Sequence, residues 1–112
     1  MPDDQIAERI NRTNTIDFSI ILINYNSEPY IEPCLQQIWA AGFNGSIEII
    51  VVNNLATDAS LDLLKQQPKI TLINPGKNLG YSGGNNLGIS RSRGKYVLCL
   101  NFDCLLTDGF LQ

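Results

Sequence analysis

Four apolar runs punctuate the chain: Phe18–Ile23 (FSIILI), Ile47–Val52 (IEIIVV), Ile70–Ile73 (ITLI) and Tyr96–Leu100 (YVLCL). They are short, rich in Ile and Val, and lack clean alternation of apolar and polar positions. Strands of a parallel sheet read this way when both faces are covered. After the first run, Pro29 suits a first helical turn that Ser27 or Glu28 can cap. Ile31, Leu35, Ile38 and Trp39 then form an apolar stripe at spacings of three and four, and Gly42 marks the helix end. Asp58 can cap a second helix bearing Leu61, Leu63 and Leu64, which Pro68 stops. A third helical segment spans Ser82–Arg93. Strand–helix alternation predicts an α/β fold with a mainly parallel sheet and right-handed crossovers. Residues 1–15 are polar and unpatterned, so 1–16 are expected to form a flexible leader and 17–112 the folded unit.

Length and charge narrow the function. The 112 residues suffice for one domain, and 8 Lys plus Arg against 11 Asp plus Glu leave a net charge of −3. That balance lacks the basic footprint of a nucleic-acid partner. No apolar run is long enough to span a bilayer. Met1-Pro2-Asp3-Asp4 offers neither a basic nor an apolar signal region, so a cytoplasmic location is expected, with a place at the inner face of the membrane left open. The sequons at Asn11 and Asn44 then read as chance matches. Histidine is absent, which excludes Ser–His and Cys–His catalysis and a His general base within these residues. Cys34, Cys99 and Cys104 are an odd set with no C-x-x-C pair, and zinc held by cysteine alone needs four thiolates. They are expected to be small buried apolar residues in a reducing compartment.

Candidate chemistry gathers where the runs end. In open α/β sheets ligands sit beyond the carboxyl ends of the strands. There the chain places Asn24-Tyr25-Asn26-Ser27, Asn53-Asn54, Asn74-Pro75-Gly76-Lys77-Asn78-Leu79-Gly80 and Asn101-Phe102-Asp103. Asparagine favours turns in any case, but this concentration predicts a polar crevice with aromatic help from Tyr25. The stretch Asn78–Gly94 matches neither a P-loop nor a dinucleotide fingerprint. Helical glycines at 83, 84 and 88 would each cost about 1 kcal/mol relative to Ala. Close backbone approach, to a ligand or to the sheet, is the expected reason. Asp103 at a strand end can bind Mg²⁺ or Mn²⁺ when phosphates and waters complete the shell.

Four blocks in order, SIILINYNS (19–27), EIIVVNNLATDAS (48–60), NPGKNLGYSGGNNLGI (74–89) and GKYVLCLNFDCLL (94–106), resemble the family-2 glycosyltransferases with a GT-A fold, and their rhamnosyltransferase-like members most of all. The resemblance implies a Rossmann-like half-domain with strand order 3-2-1-4 and flanking helices. It implies a nucleotide-sugar donor site drawing on Asn24, Tyr25, Asn26, Asn53, Asn54, Asn78, Gly80, Gly83, Asn85 and Asn101. Tyr25 would lie against a pyrimidine base, Asn101 near the ribose, and Asp103 would ligate Mg²⁺ or Mn²⁺. Asn53 stands where the family usually carries an Asp that reads the base. N-F-D stands where relatives have N-P-D or D-x-D.

The donor implied is a UDP- or dTDP-sugar, and the acceptor of the full-length protein a glycan or lipid-linked molecule in cell-wall or polysaccharide synthesis. The family's acceptor site and general base lie beyond the metal motif, so this chain is expected to be the donor-binding half. No catalytic residue is assigned within it, and it is expected to be inactive alone. Strand 96–100 would then be an exposed apolar edge open to self-association. The alternative is a non-catalytic nucleotide-binding or interaction domain of the same fold. A receiver-like domain is disfavoured because Asn24-Tyr25-Asn26 and Asn74-Pro75 stand where receivers need acids.

Overall fold

The computed structural model describes residues 16–41 and 45–103. The leader through residue 15, Gly42, the sequon asparagines Asn11 and Asn44, and Cys104 lie outside them. Seven elements alternate: β1 (Ile16–Asn24), α1 (Glu28–Ala40), β2 (Ile47–Asn53), α2 (Ser60–Lys65), β3 (Ile70–Ile73), α3 (Gly80–Arg91) and β4 (Gly94–Leu100). The four strands form one parallel sheet in the order β3-β2-β1-β4, as expected. β1 starts at Ile16, which pairs with Gly94. Register sets Ile20 beside Ile49 and Leu98, and Asn24 beside Asn53.

Burial on two faces explains the unbroken apolar runs of β1 and β2. Ile20, Leu22, Ile49 and Val51 pack with Ile31, Cys34, Leu35 and Ile38 of α1 and Leu64 of α2. The intervening residues Ile21, Ile50, Val52 and Ile73 pack with Ile23 and with Leu87 of α3. Trp39 departs from the expected stripe: it is 42% exposed, and Cys34 takes the inward place instead. The Lys69 ammonium lies 5.7 Å from the Trp39 ring centre. β4 also departs from two-sided burial. Tyr96, Val97 and Cys99 are exposed, because β4 is an edge and α3 lies over β1 and β2. Cys99 is therefore not the buried residue expected, whereas Cys34 is.

The helix starts differ from the sequence reading in a way that shapes the rim. Ser27 is the N-cap residue of α1, but its hydroxyl makes no capping bond. The Glu28 N–H donates instead to Asp58 Oδ2 at 3.3 Å. Ala59, not Asp58, is the N-cap residue of α2, while the Asp58 carboxylate accepts from the N–H and hydroxyl of Ser60. One carboxylate thus serves the first turns of two helices. The third helix starts at Gly80, two residues earlier than expected, where φ is +74°. Glycine adopts that conformation without steric penalty.

α3 lies close on the sheet because Gly84 and Gly88 lack side chains. A Cβ on Gly88 would come within 2.5 Å of Ile21 Cγ2, and one on Gly84 within 2.9 Å of Ile23 Cδ1. Of the two reasons open for these glycines, close approach to the sheet applies. At the opposite end of the strands, Ser19 Oγ donates to Glu48 and accepts the Gly94 N–H at 2.7 Å. Glu48 also accepts the Arg93 N–H at 2.6 Å. One carboxylate pins the starts of β1, β2 and β4.

Candidate functional site

The carboxyl ends of β1 and β4 and the first turns of α1 and α3 enclose a hollow of about 450 Å³. That is within the size range of small-molecule sites. Of the residues singled out from sequence, Tyr25, Asn26, Asn54, Asn78, Gly80, Asn101 and Asp103 line it. Asn24, Asn53, Gly83 and Asn85 do not.

Asn24 and Asn53 lie beneath the rim, 0% and 3% exposed. Asn24 Nδ2 donates to Asn53 Oδ1 and to Ser60 Oγ, each at 2.8 Å. Asn24 Oδ1 accepts the Ser27 N–H at 3.2 Å. Asn53 Nδ2 reaches Asn74 Oδ1 at 3.4 Å. Both amides are thus committed to holding loops together. Asn26, at φ +55°, uses its Oδ1 to accept the N–H groups of Thr57 and Asp58. Asparagine tolerates the left-handed region better than most residues. Gly83, in the first turn of α3, faces Leu79 just before the helix. Asn85 is buried, and its Oδ1 has no partner among the described residues.

A second clamp sets the start of α3. Asn54 Oδ1 accepts the Leu79 N–H at 3.2 Å, and Asn54 Nδ2 donates to the Gly80 carbonyl at 2.9 Å. Asn78 Oδ1 accepts the Gly80 N–H at 2.8 Å. At the end of β4, Phe102 is 4% exposed and packs into the core cluster with Leu100. Asn101 and Asp103 on either side of it are exposed at the hollow. The buried ring anchors this turn.

Tyr30 and Tyr81 also line the hollow and were not singled out from sequence. Each stands in the first turn of a helix, and both are about half exposed, at 50% and 54%. An aromatic residue in the first turn of a helix that opens at the carboxyl edge of a parallel sheet is the signal that would have found them. Electrostatically the hollow is sparse. Asp103 is its one carboxylate among the described residues, and no Lys or Arg lines it. Behind the rim, burial raises the Asp58 pKa, but hydrogen bonds from the Ser60 hydroxyl and N–H and from the Glu28 N–H outweigh it. The net shift is downward. Burial alone pushes the Cys99 thiol up.

A sequence profile described as Glycosyl transferase family 2 matches residues 19–112. The chain belongs to this family. Among its family relatives it is 36% identical over 99 residues to the low-salt glycan biosynthesis hexosyltransferase Agl10 of Haloferax volcanii, covering 85% of this chain and 30% of that protein. It is 34% identical over 98 residues to the uncharacterized glycosyltransferase EpsJ of Bacillus subtilis, covering 84% of this chain and 28% of that protein. The chain thus spans about 30% of the length of these curated relatives. The family's fold is likewise evident in solved structures. S. aureus TarS, residues 1–349 in complex with UDP, superposes with a TM-score of 0.70 at 27% identity, covering 79% of this chain and 28% of that one. The mannosyltransferase PcManGT from Pyrobaculum calidifontis, in complex with GDP-Man and Mn²⁺, shares the fold at a TM-score of 0.73 and 20% identity, over 90% of this chain and 34% of that one.

Proposed function

We propose that this glycosyltransferase chain binds a pyrimidine nucleotide-diphosphate sugar, UDP- or dTDP-linked with a hexosyl or rhamnosyl group, for transfer to a glycan or lipid-linked acceptor. The observation that carries this reading is the convergence of Tyr25, from the end of β1, with Asn101 and Asp103, from the end of β4, on one hollow. An exposed tyrosine suits a base, since aromatic faces stack on any base. The UDP bound to TarS, a relative of the same fold, supports the nucleotide class.

The donor set tests the implied divalent cation. Asp103 and the Asn101 carbonyl are hard oxygen donors, as Mg²⁺ and Mn²⁺ prefer. No group of three or more His, Cys, Asp or Glu that could hold a metal occurs among the described residues. The site therefore fits a cation whose shell is completed by ligand phosphates, with Asp103 and Asn101 holding it. Bound there, the cation would stabilise the negative charge of a departing diphosphate. Asp103 is committed in this reading and is the one carboxylate lining the hollow among the described residues, so the base that activates an acceptor comes from outside that lining.

Two further points belong to the proposal. The free thiol of Cys99 supports a cytoplasmic location. Among the described residues no helix is long and apolar enough to cross a membrane, and association with the inner face would run through the acceptor. The exposed Tyr96, Val97 and Cys99 along the β4 edge support pairing with a second copy.

Thermal melting tests the core of the reading. UDP with millimolar Mn²⁺ should raise Tm, since a ligand at 100 times its Kd stabilises by about 2.7 kcal/mol. Asp103→Ala should abolish the Mn²⁺-dependent part of the rise. An equal rise in the variant would remove Asp103 from its role, and no rise in either protein would refute the nucleotide site.

A further inference from the structure

The hollow poses a charge problem. It is lined by one carboxylate and by no cationic side chain among the described residues. If a diphosphate enters, a cation at Asp103 meets part of its charge, and its other oxygens need neutral donors. Two amides at the rim already use part of their donor capacity: Asn54 Nδ2 donates to the Gly80 carbonyl, and Asn26 Nδ2 to Thr57 Oγ1 at 3.2 Å.

The Tyr81 hydroxyl is one such neutral donor, and the turn that carries it is held by two asparagines. It follows Gly80, whose left-handed φ of +74° turns the chain into α3. Asn54 grips the two residues before it by both ends of its amide, and Asn78 takes the Gly80 N–H. Six residues on, Leu87 packs against the cluster of Ile21, Ile50, Val52 and Ile73 beneath α3. At about 100° per residue the two side chains stand about 120° apart around the helix. Tyr81 therefore projects from a different side of the helix, and it lines the same hollow as Asn101 and Asp103. It is 54% exposed, and no hydrogen bond among the described residues engages its hydroxyl.

We propose that Tyr81 contacts the ligand through its phenol, donating a hydrogen bond to the diphosphate, and that Asn54 is a positioning residue that aims it. The proposal rests on the nucleotide-sugar reading above and adds a residue to it. It also changes the role expected of Asn54, from ligand contact to support of the turn that presents Tyr81.

Calorimetric titration of the full chain with UDP and with uridine, in millimolar Mn²⁺, tests it. Tyr81→Phe removes one oxygen and keeps the ring. A hydrogen bond to a charged group predicts about tenfold weaker UDP binding, or more, with uridine binding unchanged. Asn54→Ala should weaken UDP binding in the wild-type background and add little in the Tyr81→Phe background, because the two act through one contact. A merely structural role for Asn54 would lower Tm without separating UDP from uridine. Wild-type-like UDP affinity in Tyr81→Phe would overturn the proposal while leaving the nucleotide site intact. Absence of UDP binding by the wild type would overturn both, and the two failures are told apart by that control.

Discussion

Replacing Gly88 with alanine tests how closely α3 rests on the sheet. In an isolated helix the change would stabilise by about 1 kcal/mol. Here the new Cβ would lie 2.5 Å from Ile21 Cγ2, with Ile21 Cδ1 at 3.4 Å and Val52 Cγ2 at 3.5 Å. Carbon atoms prefer about 3.5–4.0 Å, so roughly 1 Å must be found. Cγ2 sits on the branched Cβ of a residue that is 0% exposed, and rotation of a chain end cannot move it away. The helix must lift, which loosens Leu87 from Ile21, Val52 and Ile73. Overpacking of this kind costs about 1–3 kcal/mol. Set against the propensity gain, a clash toward the upper end of that range leaves a net loss of about 1–2 kcal/mol. Urea unfolding followed by circular dichroism measures it, and each kcal/mol should lower Tm by about 4–8 °C in a domain near this size. Gly84→Ala is the internal control. Its Cβ meets the terminal Ile23 Cδ1 at 2.9 Å and Asn54 Nδ2 at 3.2 Å, groups that can give way, so its loss should be smaller. Ile21→Ala in the Gly88→Ala background should cost less than in the wild type, since it makes the missing room. A Gly88→Ala protein as stable as the wild type, or more stable than Gly84→Ala, would refute the close approach.

Asn24→Ala leaves Asn53 Oδ1 and the Ser27 N–H without their buried partner. A loss on the order of 3 kcal/mol is expected in urea unfolding, and a loss below about 1 kcal/mol would mean that water replaces the amide. Asp58 contributes to acid sensitivity. Its folded-state pKa is depressed, so its stabilisation is present above the ordinary value of 3.8 and is lost as the pH falls through the folded value. Asp58→Asn should flatten the acid limb of Tm against pH below 3.8, and an unchanged limb would count against that role. If the β4 edge pairs with a second copy, sedimentation should show concentration-dependent association that Val97→Lys reduces. A wild type that stays monomeric at high concentration would contradict it.

How much of this was legible depended on what each signal measures. Residue type and run length located all four strands, because two-sided burial leaves unbroken apolar stretches at Ile20–Ile23 of β1 and Ile49–Val52 of β2. Strand–helix alternation then predicted a parallel sheet, and the family resemblance supplied its order. Trp39 was misplaced because a spacing of four from Leu35 fits the inward stripe as well as its flank, and only packing decides between them. Cys99 was misplaced because composition does not reveal that α3 stops short of β4. Asn26, Asn54, Asn78 and Asn101 line one hollow, whereas Asn24, Asn53 and Asn85 do not. Which amides face solvent and which face each other depends on cross-strand register, as where Asn24 meets Asn53, and local sequence does not encode that. Tyr30 and Tyr81 were overlooked because a single exposed tyrosine in a first turn has no periodicity.

Amides keep the rim neutral. Each one accepts at one end and donates at the other, so Asn24 and Asn54 each bind two segments with a single group. Aspartates at those places could accept the same N–H groups, but every one would add negative charge to a chain already at −3. They would repel a polyanion at the moment of its approach. An amide also has no proton to lose in ordinary buffers, so the rim's shape should hold across most of the pH scale. Formal charge at the mouth is left to Asp103, where one divalent ion can reverse its sign.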